Sequence, residues 1–206
     1  MTICAIAADR LNDAHWAAWT NIQRNNPTLA SPFFRPEFTQ LMATVCQRVE
    51  VAVLEDAGEP VGFLPFHRSR CGAAYPIGLQ ISGFQGLIAP TNLQWQPLEC
   101  LHTCGLSGWR FDHLAPGQEP LQAYRCVSNS SPWIDLSGGF EAYCERRRAA
   151  SSTEIPRTLK KARKLEREIG PLRFEASSTD RNVLATLIAW KRQQCRYTGV
   201  SDIFLL

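Results

Sequence analysis

The chain has 206 residues, 45% of them apolar and 20% charged, with a net charge of +3. That is the usage of a globular chain long enough to bury a core, and it excludes a disordered polymer, a collagen and a highly charged coiled coil. No run of 18 apolar residues occurs, so no membrane-spanning helix is expected, and Met1 to Asp9 lacks the apolar region and cleavage site of a secretory signal. Charge is uneven: residues 1–145 carry 8 Lys/Arg against 13 Asp/Glu, and residues 146–206 carry 14 against 6. Eight cysteines, at 4, 46, 71, 100, 104, 126, 144 and 195, contain no CxxC pair. Without an export signal they read as reduced thiols of a cytoplasmic protein.

Met1 to Ala8 reads as a short strand. Asn12 or Asp13 caps a helix that turns Trp16, Ala17 and Trp19 inward, with Pro27 beyond its end. Pro36 suits the first turn of a second helix. Phe38, Leu41, Met42 and Val45 follow at i, i+3, i+4, i+7 spacing, the mark of one buried stripe. Val49–Glu55 and Pro60–Phe66, joined by a turn at Asp56–Glu59, predict a hairpin near the centre of a sheet. Pro60 and Pro65 predict a bend or bulge in its second strand. A strand is expected at Leu79–Phe84, a helix at Leu93–Cys104 ended by Gly105, and strands at Trp109–Leu114 and Tyr124–Ser128. Gln118–Gln122 suits a helical turn.

Beyond residue 130 the pattern becomes helical. Helices are expected at Gly139–Ala149 and, capped by Thr153, over about 154–169, the second stopped by Gly170 and Pro171. Its stripe of Leu159, Ala162, Leu165 and Ile169 is expected inward, with Lys160, Lys161, Arg163, Lys164 and Arg167 mostly away from it. A strand at Leu172–Ala176 and a last helix follow. Ser178 or Thr179 caps that helix, with Val183, Leu184, Leu187 and Ile188 inward. The predicted division is 1–130 and 131–206, the second part starting a sheet that it does not complete.

The order strand, helix, helix, hairpin, strand, glycine loop, helix, strand resembles the GNAT N-acyltransferase fold. Ser131-Pro132-Trp133-Ile134-Asp135-Leu136, followed by Phe140-Glu141-Ala142-Tyr143, resembles a segment of the CelD/BcsL-like acetyltransferases. So do the basic run Arg157 to Glu175, the run Trp190 to Gly199, and Phe84-Gln85-Gly86-Leu87-Ile88-Ala89-Pro90. The resemblance implies an α+β (mixed α/β) fold: a GNAT-like, mostly antiparallel sheet flanked by helices, then an incomplete second GNAT-like half. It implies an acyltransferase using acetyl-CoA or another acyl-CoA, related to exopolysaccharide and cellulose biosynthesis, with a small-molecule or glycan acceptor. The expected main acyl-CoA site lies in the second half, so this chain alone is expected to bind the cofactor poorly. Within residues 1–130, Gln80, Gly83 and Gly86 are the candidates for a pyrophosphate loop, where backbone N–H groups and a helix N-terminus would meet phosphate. Their spacing departs from the family's Q/R-x-x-G-x-G/A by one residue, and Pro90 precedes any helix. A structural turn is the competing reading.

Lys160, Lys161, Arg163, Lys164 and Arg167 are the candidates for anion binding. They suit a phosphate-bearing carrier, an acidic protein surface or membrane headgroups; the plain alternative is a solvated helix face. Nucleic acid is not expected, since no aromatic residues interleave with the charges. Cys100, His102 and Cys104 do not make a metal site, because His102 points away from the face shared by the two cysteines. No GxSxG elbow or triad is legible, and His67 and His113 are the histidines placed to face a cleft. A non-catalytic binding module for an anionic carrier, glycan or protein is the alternative function.

Overall fold

A computed structural model describes residues 1–202 and 204, with the side chain of Gln80 also outside the described set. The chain divides into two units, Met1–Val127 and Ser128–Leu206.

The first unit is α+β. It is built on a five-stranded sheet in the order β1 (Thr2–Ala7), β2 (Val49–Asp56), β3 (Glu59–Arg68), β4 (Ala73–Pro76) and β5 (Gly108–Trp109). Neighbours are antiparallel except β4 and β5, which run parallel. The β2–β3 hairpin closes on Ala57 and Gly58, both with positive φ (48° and 85°). That is the conformation a two-residue hairpin loop requires. The register shifts at Leu54/Glu55, opposite Pro60, so the proline that cannot donate to the ladder sits at an irregularity.

β-branched residues on β2 explain why this hairpin is central. Val49, Val51 and Val53 face one core with Phe63, and Ala52 and Leu54 face the other with Leu64 and Phe66. Alternation along each strand thus buries both faces of the sheet. On the first face lie α1 (Asp13–Asn25) and α2 (Pro36–Val45). Asn12 caps α1: its side chain accepts from the His15 amide, and the His15 side chain accepts from the Asn12 amide. Trp19 stacks on Phe63 with ring centroids 4.9 Å apart, and its Nε1 donates to the Phe34 carbonyl at 2.8 Å. A buried tryptophan with its N–H satisfied contributes area without an unpaired donor. On the second face lie α3 (Pro97–Thr103) and the short α4 (Glu119–Gln122).

Several expectations are corrected here. Ala18, not Ala17, packs inward from α1. On α2 the inward residues are Phe38, Met42, Ala43 and the buried Thr39, while Leu41 and Val45 are exposed. Leu79–Phe84 is not a strand. Gly78 and Leu79 both have positive φ, and Leu79–Ile81 forms a 3₁₀ turn. The α3 helix begins at Pro97 rather than Leu93, because the residue before proline, Gln96, is held extended (φ −114°, ψ 112°). The fifth strand is two residues long, and Tyr124–Ser128 forms no strand.

The second unit holds α5 (Gly139–Ala149), α6 (Glu154–Ile169) and α7 (Arg181–Thr198). None of the three helices has a buried residue. The leucine stripe expected inward on α6 is open: Leu159, Leu165 and Ile169 are 52%, 40% and 77% exposed. Val183, Leu184 and Leu187 on α7 are exposed as well, and Ile188 is half-buried. Leu172–Ala176 forms no strand, so no backbone partner is engaged at the place where a second sheet was expected to start. Thr153 occupies the cap position of α6 without a side-chain bond. Asp180, rather than Ser178 or Thr179, caps α7 through the Asn182 amide.

Candidate functional site

Two regions carry the candidate residues, one in each unit. In the first, the segment after the 3₁₀ turn re-enters the sheet. Phe63 and Ile88 exchange backbone hydrogen bonds of 2.9 and 2.8 Å, and Gln85 and Leu114 form a parallel bridge. Residues 85–88 therefore take the place beside β3 that β4 vacates after Pro76, with residues around Leu114 alongside in the place of β5.

Two buried glutamines lock this segment. The Gln85 carbonyl oxygen Oε1 accepts from the amides of Asp112 and His113 at 2.9 and 3.2 Å. Its Nε2 donates to the Ser82 carbonyl and to Asp112 Oδ1 at 3.1 and 2.7 Å. Gln118 Oε1 accepts from the Leu87 amide at 2.9 Å, and Gln118 Nε2 donates to the Leu87 carbonyl at 3.0 Å. Gly86 has φ 151°, and a Cβ there would lie 2.6 Å from Gln118 Cδ. Glycine is needed at 86 so that a glutamine can press on the backbone. Gly83 is ordinary by comparison, since a Cβ would meet only the Phe33 ring at 3.6 Å. The crevice beside Gly86, with Phe84 and Trp109 in its wall, has a volume of about 10 Å³, the lower limit for one water.

The amides of Gln85, Leu87 and Ile88 are thus engaged by the protein itself, and the helix that follows, α3, begins nine residues after Ile88. Of the three pyrophosphate-loop candidates, Gly86 serves a backbone–glutamine contact and Gly83 lies in the half-buried turn before it. The Gln80 side chain lies outside the described residues.

At the rim of this segment Asp112 Oδ1 lies 2.9 Å from His113 Nδ1. Partial burial alone would lift the Asp112 carboxyl, but hydrogen bonds from His113 and Gln85 outweigh it and hold the group below its ordinary value. An Asp–His pair of this kind can orient an imidazole for proton transfer. His67, the other histidine expected to face a cleft, is half-buried on β3 opposite Tyr75.

On the back of the sheet, Arg68 makes a two-pronged contact with Glu50 (2.8 and 2.7 Å) and donates to the carbonyls of Cys104 and Gly105 at 2.9 and 3.2 Å. A cation there satisfies carbonyls left over at the end of α3. Cys100 and Cys104 face the core together, and His102 is exposed on the other side. Among the described residues no group of three His, Cys, Asp or Glu is arranged to hold a metal ion.

The second region is the corner between α5 and α6. Its turn is a Schellman motif: the Ser152 amide donates to the Arg147 carbonyl and the Ser151 amide to the Arg148 carbonyl, both at 2.9 Å. Ser151 sits in the left-handed conformation at φ 56°. The corner leaves an open groove of about 240 Å³ whose walls carry Arg147 and Arg148 of α5 and Arg163 of α6. Of the five cations proposed from the sequence, only Arg163 lines it. Lys164 reaches Glu168 at 3.6 Å, and Lys160, Lys161 and Arg167 are exposed outside the groove. Arg147 and Arg148 were not among the candidates. The signal that would have found them is the run Arg146-Arg147-Arg148 immediately before the break at Ser151-Ser152-Thr153.

Comparison with models of protein families, with curated proteins and with solved structures finds no match. The first region is a sealed strand edge with an exposed Asp–His pair beside it. The second is a cationic groove with an apolar floor. Among the described residues no helix is long and apolar enough to cross a membrane.

Proposed function

We propose that this chain is a GNAT-type acyltransferase relative, similar to the CelD/BcsL-like proteins of exopolysaccharide and cellulose biosynthesis, in which residues 1–127 recognise an acceptor and do not hold acyl-CoA. The observation that supports the scaffold is the strand order. The chain runs strand, two helices, hairpin, strand, helix, strand, and the sheet keeps that sequence, with its one parallel pair between β4 and β5. It resembles the order on which the likeness to the GNAT fold was drawn, with Ala73–Pro76 in the place where the strand was expected at Leu79–Phe84.

The glycine segment favours recognition over cofactor binding. A pyrophosphate is held by a run of free N–H groups at a helix N-terminus. Here the neighbouring amides are bonded to Gln118, His113 and Phe63, and the adjacent crevice is too small for a phosphate. Acyl transfer itself needs an acceptor amine or hydroxyl deprotonated against a thioester carbonyl. The Asp112–His113 pair is the candidate base at this rim, its carboxylate orienting the imidazole.

Calorimetric titration of acetyl-CoA into the purified chain tests the reading. The expected result is no saturable binding, or weak binding that fades with added salt, as attraction of phosphates to surface cations does. Micromolar, salt-resistant binding that Gly83→Val abolishes would overturn it and place the cofactor in residues 1–127.

A further inference from the structure

The α5–α6 groove is lined by three arginines together with Ile155, Pro156 and Leu159. We propose that it takes the phosphate monoester of an amphiphilic molecule, the phosphate held by Arg147, Arg148 and Arg163 and the first methylenes lying on Ile155 and Leu159.

Four observations carry this. First, three arginines from two helices line one concavity, and no Asp or Glu lines it with them. Second, none of the three is in an ion pair among the described residues, whereas Arg146 and Arg157 on the same two helices each have a carboxylate within 4 Å. Cations left unpaired while their neighbours pair are available to an anion from outside. Third, Arg147 is held in place: its Nη2 donates to Ser152 Oγ at 3.0 Å, and its carbonyl is fixed by the Ser152 amide. A guanidinium with one donor anchored loses less freedom when the others bind. Fourth, the floor is apolar, from Ile155, Pro156 and Leu159, and Leu159 is 52% exposed.

These features select among anions. A guanidinium fork matches the paired oxygens of phosphate better than a lone ammonium does. An apolar floor gives nothing to inorganic phosphate and gives an alkyl chain about 0.8 kcal/mol per buried methylene, roughly a fourfold gain for each. The volume, about 240 Å³, is below the roughly 300–1,000 Å³ of sites that enclose a whole small molecule. The groove therefore suits a headgroup and the start of a chain, with the remainder outside. Such a phosphate is either soluble or carried by a lipid, and the lining is the same for both.

The test uses the full chain and two probes at moderate salt, inorganic phosphate and monomeric octyl phosphate. Octyl phosphate is expected to bind at least about tenfold more tightly, the gain of two or three buried methylenes. Arg148→Ala and Arg163→Ala should each weaken both probes several-fold. Arg163→Lys, which keeps the charge and loses the fork, should recover only part of the loss. Leu159→Gln should remove the preference for the octyl chain and leave phosphate binding in place. Lys160→Ala and Lys164→Ala, which remove equal charge outside the groove, should change neither. These positions are exposed, so far-ultraviolet circular dichroism should show unchanged helix content in every variant.

Sedimentation with phosphatidylcholine vesicles containing phosphatidic acid then separates the sources. Co-sedimentation lost in Arg163→Ala assigns a lipid phosphate. Octyl phosphate binding without co-sedimentation assigns a soluble one. The proposal is overturned if octyl phosphate binds no better than inorganic phosphate, or if Lys160→Ala weakens binding as much as Arg163→Ala. Neither result bears on acetyl-CoA binding by residues 1–127, so the two readings fail separately.

Discussion

Gln118 binds the Leu87 peptide as a neighbouring strand would, its Oε1 accepting from the amide at 2.9 Å and its Nε2 donating to the carbonyl at 3.0 Å. A side-chain amide has the same donor and acceptor pair as a peptide. One residue thus completes the hydrogen bonding of a buried segment whose next residue, Ile88, is paired with Phe63 of β3. The approach is possible because residue 86 has no Cβ. This pair, together with Gln85 on Asp112 and His113, turns a glycine segment with the look of a phosphate loop into part of the sheet.

Gly86 and Gly83 should therefore respond unequally to the same change. Gly86→Ala drives a methyl to within 2.6 Å of Gln118 Cδ and should cost about 3 kcal/mol, the scale of a broken buried network. Gly83→Ala meets only the Phe33 ring at ordinary contact distance and should change stability by less than about 0.5 kcal/mol. Gln118→Ala leaves the Leu87 amide and carbonyl buried without partners and should cost about 2–4 kcal/mol. Urea unfolding followed by tryptophan fluorescence measures all three. A mild Gly86→Ala would mean that Gln118 does not sit over the backbone.

Asp112 gives the fold a dependence on acid. Its folded-state value lies below the ordinary one because hydrogen bonds from His113 and Gln85 outweigh its burial. A depressed carboxylate contributes stability above its unfolded value, about pH 4, and that contribution is lost as pH falls through the folded value. The side chain is 58% exposed, so solvent screens the effect and keeps it small. Asp112→Asn should remove this small contribution at neutral pH and match the unsubstituted protein at the acid limit, so its stability falls less steeply below about pH 4. Unfolding midpoints measured from pH 2 to 7 check this; an unchanged acid slope contradicts it.

Much of this was legible in the residues, and the misses have physical causes. The hairpin, α5 and the span of α6 follow from β-branched alternation, from a helix-forming run, and from Gly170 at φ 118°. The strand expected at Leu79–Phe84 failed because an apolar run with glycines does not reveal where the chain turns. Gly78 and Leu79 take positive φ, and the strand edge is delayed to 85–88. The α6 stripe is apolar yet exposed, since periodicity shows which residues share a face and not what covers it. The arginine groove was missed because two of its three cations stand on a different helix from the one whose charge was conspicuous.

The α5–α6 corner contains a residue in the wrong conformation for its type. Ser151 holds the left-handed position of a Schellman turn at φ 56°, where glycine has no Cβ penalty. Ser151→Gly should stabilise the helical hairpin by about 0.5–1 kcal/mol. The rise should appear as a higher thermal midpoint of the 222 nm circular dichroism signal. A lower midpoint would mean that the turn is not formed.

Thiol labelling separates the cysteines by environment. The Cys71 thiol is exposed and is lowered by its contact with Ser69 Oγ, at 3.2 Å, and by the Ala73 backbone. The Cys4 thiol, also exposed at its residue surface, is raised by partial burial and by Glu55. Cys100 is buried and raised, chiefly by its hydrogen bond with Cys104. Because the thiolate is the reactive form, iodoacetamide at neutral pH should modify Cys71 before Cys4 and Cys100 last. Ser69→Ala should slow Cys71. Mass spectrometry of timed samples reads the order, and Cys100 reacting ahead of Cys71 would contradict it.

Amide hydrogen exchange at Leu87, with and without acetyl-CoA, tests the sealed segment most directly. If the Leu87 N–H is held by Gln118 within the sheet, it exchanges as slowly as the amides of β2 and β3, and saturating acetyl-CoA leaves its rate unchanged. A Leu87 amide that exchanges rapidly in the free protein and becomes protected on adding acetyl-CoA would show a phosphate loop instead, and would contradict the account.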